Sequence, residues 1–329
     1  MTYFFLMCSE RAGSNLITKM FDAHPKVCGP SPKHILNPVL RNLFRYKDLN
    51  NVRNWEYLLN DIYQLIEVNF SIWKKEFTRT ELFDLAPPGE ISTLLKNIFN
   101  AEALQNKKQH IFIKENQIYQ IMTYILTFFP RAKFVYQVRD PRDMALSWKK
   151  STIHHGGVIQ AARRWKLDQQ QFAKEHFLLK QQKRSILVKY EELITDPEMY
   201  LRDICRALDI EYSSSMIKFY QIEETKINAN KNIAWSNLSR KVISQNKNKY
   251  LDELTEKEIK CIEKICYPEM SFFNYQTENS ISELDNITEK ELKEFDTIEQ
   301  ELYLNKENIR QEVYKNIEAK KVFYHKIMN

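Results

Sequence analysis

The sequence predicts an α/β fold, a central parallel sheet flanked by helices on both faces. Three observations carry that expectation. The apolar run Tyr3–Cys8 leads directly into S-E-R-A-G-S-N-L (residues 9–16). The run Lys133–Gln137 leads into V-R-D-P-R-D-M-A-L-S-W (residues 138–148), so each reads as a buried strand, a turn holding an arginine and a helix start. Around these two corners, short apolar runs alternate with helical patterns through brief links, the order of a doubly wound sheet.

The elements follow in chain order. After the first turn, Leu16, Ile17, Met20 and Phe21 repeat at helical spacing until Asp22-Ala23-His24-Pro25 closes the helix. Lys26-Val27-Cys28 then leads into a proline-rich loop, Gly29 to His34. Residues 36–106 form a helical insertion rich in aromatics: Phe44, Tyr46, Trp55, Tyr57, Tyr63, Phe70, Trp73, Phe77 and Phe83. Pro87-Pro88-Gly89 interrupts it once. His110–Lys114 reads as a strand, Gln117–Phe129 as a helix stopped by Pro130, and residues 133–138 as the next strand. Pro141 stands at a first helical position, where no N–H is needed. A polar helix over 157–179 presents Ala161, Ala162, Trp165, Leu167 and Phe172. Residues 185–190 form a further strand, followed by a helix through Leu201, Ile204, Cys205 and Leu208.

The last stretch differs in kind. Residues 276–329 are rich in Glu, Lys and Asn, with Leu292, Phe295, Ile298, Leu302, Ile309, Val313 and Ile317 spaced mostly by three, four or seven. That pattern predicts a helical C-terminal extension with one apolar stripe, docked on its own domain or forming a homodimer contact. The expected division is therefore 1–275 and 276–329.

Composition narrows the class. With 43% hydrophobic and 12% aromatic residues the chain is globular rather than disordered. A net charge of +6 without basic clusters suits a small polyanion better than nucleic acid. Five cysteines (Cys8, Cys28, Cys205, Cys261, Cys266), odd in number and lacking C-x-x-C, predict buried reduced thiols and no metal site. No secretory signal is recognisable, and the apolar patch 118–129 is too short to span a membrane. A soluble cytoplasmic protein is expected.

The corners themselves suggest chemistry. A strand that turns into a helix points N–H groups and a positive helix end at an anion. Gly13 allows close backbone approach, Ser14 and Asn15 offer donors, and Arg11 adds a planar fork. The turn lacks G-x-x-x-x-G-K-[ST], which disfavours hydrolysis of a nucleoside triphosphate. Arg139 ends a strand and Ser147 lies two turns into the next helix, so both can face one crevice. Asp140, Arg142 and Asp143 are expected to cap and charge that helix.

These two motifs resemble the cofactor motifs of sulfotransferases that use 3′-phosphoadenosine 5′-phosphosulfate (PAPS), patterned R-[SA]-G-[ST]-x-L and R-D-P-R-D-x-x-x-S. Three further stretches are similar to the same family: F-D-A-H-P-K-V-C-G-P-S-P-K-H-I-L, I-F-I-K-E-N and I-L-V-K-Y-E-E-L-I-T-D-P-E. The likeness extends over residues 1 to about 275. It implies the P-loop NTPase-like sulfotransferase architecture, PAPS as sulfuryl donor and 3′-phosphoadenosine 5′-phosphate (PAP) as product. By it, Arg11, Ala12, Gly13, Ser14 and Asn15 match the turn that holds the 5′-phosphosulfate, and Arg139 and Ser147 match the 3′-phosphate pair. A later basic loop would fall near 230–241, with Ser239, Arg240 and Lys241 weakly matched.

Transfer to a hydroxyl needs a base. One branch of the family carries a glutamate in the loop after the second strand, where this sequence has Ser31 or Pro32; His34 lies in the same loop and is the preferred base. Another branch has K-x-H after the middle strand, where this sequence reads Lys114-Glu115-Asn116, leaving Glu115 as the alternative. His24 and His110 are expected to be structural, and His154 and His155 to border the cleft. The expected acceptor is a hydroxyl on a small molecule, glycan or lipid, met by the aromatic insertion. Two other readings stay open: a P-loop-like nucleotide kinase or other phosphotransferase, and a non-catalytic protein of sulfotransferase-like fold.

Overall fold

The computed structural model describes residues 1–68, 71–151, 154–231, 233–303 and 311–326. Five parallel strands form one sheet: β1 (Thr2–Cys8), β2 (Val27–Cys28), β3 (His110–Lys114), β4 (Lys133–Val138) and β5 (Ser185–Lys189). Their order is β2-β3-β1-β4-β5, with β1 central and β4 beside it. Neighbouring β1 and β4 bring the two arginine corners side by side at the sheet's carboxyl edge, where such folds place their ligands.

Alternation along β1 shows why both faces are covered. Phe4, Leu6 and Cys8 join the core beneath α1 (Ser14–Asp22), while Phe5 and Met7 join the larger core on the opposite face. The insertion contributes α2 (Leu36–Arg41), α3 (Val52–Glu67), α4 (Arg79–Phe83) and α5 (Ile91–Gln105), with Pro87-Pro88-Gly89 between the last two. Tyr46, Trp55, Trp73 and Phe77 are buried, Tyr57, Tyr63 and Phe83 pack partly against them, and Phe44 is exposed. The expected aromatic at Phe70 lies outside the described residues.

Beyond β3, the helix expected from Gln117 begins as a 3-10 turn over Ile118–Ile121 and becomes α6 only at Met122–Phe128. Gln117 has φ 50°, a left-handed value that keeps it out of the helix. Next come α7 (Pro141–Lys149), the long α8 (Val158–Gln181), α9 (Tyr190–Thr195), α10 (Pro197–Ala207), α11 (Glu223–Lys231), α12 (Tyr250–Glu253) and α13 (Glu256–Phe272). All five cysteines are free and buried. No described helix is long and apolar enough to cross a membrane.

The C-terminal region supplies α14 (Ile281–Asp285), α15 (Glu289–Tyr303) and α16 (Gln311–His325). It docks on its own chain. Leu292, Asp296 and Glu299 form the buried face of α15, and Glu299 accepts the N–H groups of Val158 (2.8 Å) and Ile159 (3.1 Å) at the start of α8. Asp296 pairs with Arg163 at 2.6 Å. The expected apolar stripe is thus partly wrong: Ile298 is 53% exposed, because the inward positions carry acids that satisfy α8. Ile309 and the side chains of Leu302 and Val313 lie outside the described residues. α16 lies against α2 and α3, with Phe323 wholly buried.

Candidate active site

The first corner depends on Gly13. Its φ of 84° is left-handed, and a Cβ there would fall 2.3 Å from the Tyr190 ring. Arg11 is also left-handed, at φ 62°, and its Nε donates to Ser147 Oγ at 3.1 Å. Arg139 stacks on Tyr190 at 4.5 Å and donates to the Arg11 carbonyl at 3.0 Å and the Asn246 carbonyl at 3.3 Å. The amide of Gln137 donates to the Ala12 carbonyl. Three hydrogen bonds therefore tie the corners into one unit, and Arg11 reaches the serine expected to serve the other end.

Between them lies a cavity of about 390 Å³, lined by Arg11, Gly13, Ser14, Asn15, Arg139 and Ser147 and walled by Trp235 and Lys241. Burial, and then the charge of Arg139, lowers the Arg11 guanidinium from its ordinary range. Arg139 Nε and Asn15 Oδ1 are buried without a hydrogen-bond partner. Paired cations, an orphan donor and the start of α1 all favour an anion here. Ala12 does not line the cavity; its side chain is buried in the core and it contributes its carbonyl. Ser239 and Arg240 are exposed outside the lining, whereas Lys241 belongs to it. Arg142 is structural, pairing with Asp140 and Glu263 at 2.7 Å each and lying over Tyr250.

A second polar cluster joins the loop after β2 to the end of β3. His34, at φ 56°, places Nδ1 2.9 Å from Glu115 Oε1. The other Glu115 oxygen accepts the Leu36 N–H at 2.9 Å, so the same carboxyl group fixes the start of α2. Burial is the main effect on both groups. It pushes the Glu115 carboxyl up and His34 well below the usual imidazole range, helped for His34 by the charges of Lys320 and Lys114. Around them is a space of about 10 Å³, lined in part by Lys114, Trp73 and Phe99 and about the size of one water.

The two regions are connected. Lys114, buried rather than at the surface, donates to Asn116 Oδ1 at 2.7 Å, and Asn116 Nδ2 donates to Glu10 at 2.6 Å. Glu10 lies 3.7 Å from His154 Nε2, and His154 Nδ1 is 2.7 Å from Ser151 Oγ, which lines the large cavity. Burial alone would raise the Glu10 carboxyl; the His154 hydrogen bond and the charges of His154, Lys114 and His34 outweigh it and hold it at about 2. His24 binds the Glu211 carbonyl and is structural, and the His155 carbonyl accepts from Trp148 Nε1. Sequence reasoning missed Glu10, which lies in the first motif but was given no role there.

Comparison with known proteins agrees with this architecture. A family model described as "Sulfotransferase family" matches residues 4–214. Among solved structures, the sulfotransferase domain from the Synechococcus PCC 7002 olefin synthase superposes with a TM-score of 0.54 at 18% identity, covering 81% of this chain and 94% of that one. The sulfotransferase domain from the curacin biosynthetic pathway gives 0.54 at 14% identity, covering 84% and 98%. At these identities the superpositions show the shared fold. No curated protein matches the sequence. With the family match spanning both corners, the five-stranded sheet and its order, the chain belongs to the sulfotransferase family.

Proposed function

We propose that the protein transfers the sulfuryl group of PAPS to an acceptor hydroxyl. The observation that carries this reading is the pair Arg11 and Arg139, both lining one cavity of about 390 Å³, with the Arg139 Nε–H buried and unpartnered. That arrangement fits a ligand with more than one phosphate-like group. Arg11, Ser14, Asn15 and the first N–H groups of α1 would hold the phosphosulfate end, and Arg139 with Ser147 the 3′-phosphate. The apolar wall of Phe219, Trp235 and Leu238 suits a base ring.

His34 is the general base and Glu115 positions it. With His34 neutral, Nδ1–H donates to Glu115 and the lone pair sits on Nε2. Two backbone N–H groups and nearby lysines favour Glu115 as carboxylate. The acceptor oxygen bonds to sulfur as the bond from sulfur to the phosphate oxygen breaks. The acceptor proton passes to His34 Nε2, and the negative charge left on the phosphate falls to Arg11 and the N–H groups of α1.

Calorimetry tests the donor assignment. PAP should bind at least ten-fold more tightly than ADP, and Arg139→Ala should remove that preference. Equal affinity of Arg139→Ala for the two nucleotides is the expected result; an undiminished preference for PAP would refute the 3′-phosphate role.

A further inference from the structure

The face of α7 that borders the large cavity continues past the end of the helix. Asp143, Leu146, Ser147, Lys150 and Ser151 recur at i, i+3, i+4, i+7 and i+8, and all of them line the cavity. Ser151 is carried in a last turn, closed by its N–H on the Trp148 carbonyl at 2.9 Å. The other serine of this face, Ser147, accepts Arg11 Nε at its Oγ. A hydroxyl oxygen that accepts from a cation keeps its own proton to donate elsewhere, so Ser147 can offer that proton to the cavity.

Behind Ser151 lies a chain of polar groups. Its Oγ is 2.7 Å from His154 Nδ1, and His154 Nε2 is 3.7 Å from Glu10 Oε1. The same carboxylate oxygen accepts Asn116 Nδ2 at 2.6 Å. Trp148 holds the imidazole in place: the two rings lie 4.1 Å apart, and the indole N–H donates to the neighbouring His155 carbonyl at 3.0 Å. Glu10 is a carboxylate, so His154 turns a protonated Nε2 toward it. Nδ1 is then left with two states. As a lone pair it accepts the Ser151 proton; as an N–H it donates to Ser151 Oγ, which puts Ser151 in the situation of Ser147.

We propose that Ser151 is a further anion-binding hydroxyl of the cavity and that His154, backed by Glu10, is its positioning residue. Without an anion the imidazole is neutral and holds the Ser151 proton. When an anion enters, Nδ1 takes a proton from solvent and donates it to Oγ, and the hydroxyl proton turns to the anion. The groups around His154 set this balance. Glu10, in the first turn, favours the imidazolium. Burial, together with the charges of Arg11 in the same turn and Lys114 at the end of β3, outweighs it and keeps His154 below the usual imidazole range. An anion seated against Arg11 offsets that charge and tips the balance toward the imidazolium. This inference rests on the cavity being the donor site.

The test is calorimetry of PAP binding to the full-length protein at about pH 7, in buffers of different ionisation enthalpy, which counts the protons exchanged. The wild type should take up about half a proton more than His154→Gln. Ser151→Ala should fall to the count of His154→Gln and bind PAP about ten-fold more weakly. An equal count in the wild type and His154→Gln overturns the proposal. A wild-type count in Ser151→Ala also overturns it, because His154 then answers the anion without the hydroxyl. Inorganic pyrophosphate, run in the same way, separates this inference from the proposed function. Absence of PAP binding by the wild type would sink the donor assignment, whereas the pyrophosphate count still decides whether the relay exists. If neither anion draws the extra proton, there is no relay.

Discussion

Gly13 has no room for a side chain, since the Tyr190 ring fills the place of a Cβ and the backbone is left-handed. Gly13→Ala should displace Tyr190, release the stacked Arg139 and cost about 2 kcal/mol or more; a lower Tm together with at least ten-fold weaker PAP binding is the expected outcome. His34→Gln separates chemistry from binding. Once an acceptor is in hand, it should lower turnover by about 100-fold or more while PAP affinity is preserved. Asp168 offers a check on pH. Burial, opposed by Arg164 and by hydrogen bonds from Ser9 and Tyr119, pushes its carboxyl up to about 7. A raised folded value means that the native state favours the protonated acid. Stability from this group is therefore full below the unfolded value of 3.8 and is lost as pH rises through about 7. Melting curves of Asp168→Asn should lack that decline between about pH 4 and 7.

At the level of elements, the strongest sequence signals were those set by backbone geometry. Pro141 at a helix start, Pro87-Pro88-Gly89 between helices and the apolar run of β1 all fall where expected. The extension was legible as helical but its inward face was not. Periodicity assumes that buried means apolar, whereas Asp296 and Glu299 are buried to satisfy donors on α8 and on its first turn. Glu299 is the sharper case, because its carboxylate occupies the space where a Gly157 Cβ would sit. Glu299→Ala should leave the first N–H groups of α8 unsatisfied and destabilise the protein by about 1–2 kcal/mol, read by urea unfolding.

For the whole molecule, the two corners that line the large cavity were legible because their residues sit in two contiguous motifs on adjacent strands. Arg11, Arg139 and Ser147 meet as their motifs imply, although Arg11 bonds directly to Ser147 rather than serving a separate end. The proposed acid–base pair was only partly readable. His34 and Glu115 looked like rivals, since 81 positions separate them, yet the fold makes them hydrogen-bonded partners. A cavity lined by two guanidiniums also predicts strong stabilisation by an anionic ligand. Saturating PAP at about 100 times its Kd should add about 2.7 kcal/mol and raise Tm by several degrees.

Trp235 gives this cavity a further property. Its indole is 6% exposed and belongs to the cavity wall, whereas Trp55, Trp73, Trp148 and Trp165 do not. A purine settling against that wall alters the surroundings of one fluorophore and leaves the other four as a constant background. The protein thus carries its own optical gauge of occupancy, and a cuvette titration of intrinsic emission, repeated with Trp235→Phe, turns nucleotide binding into a signal that needs no label and no acceptor.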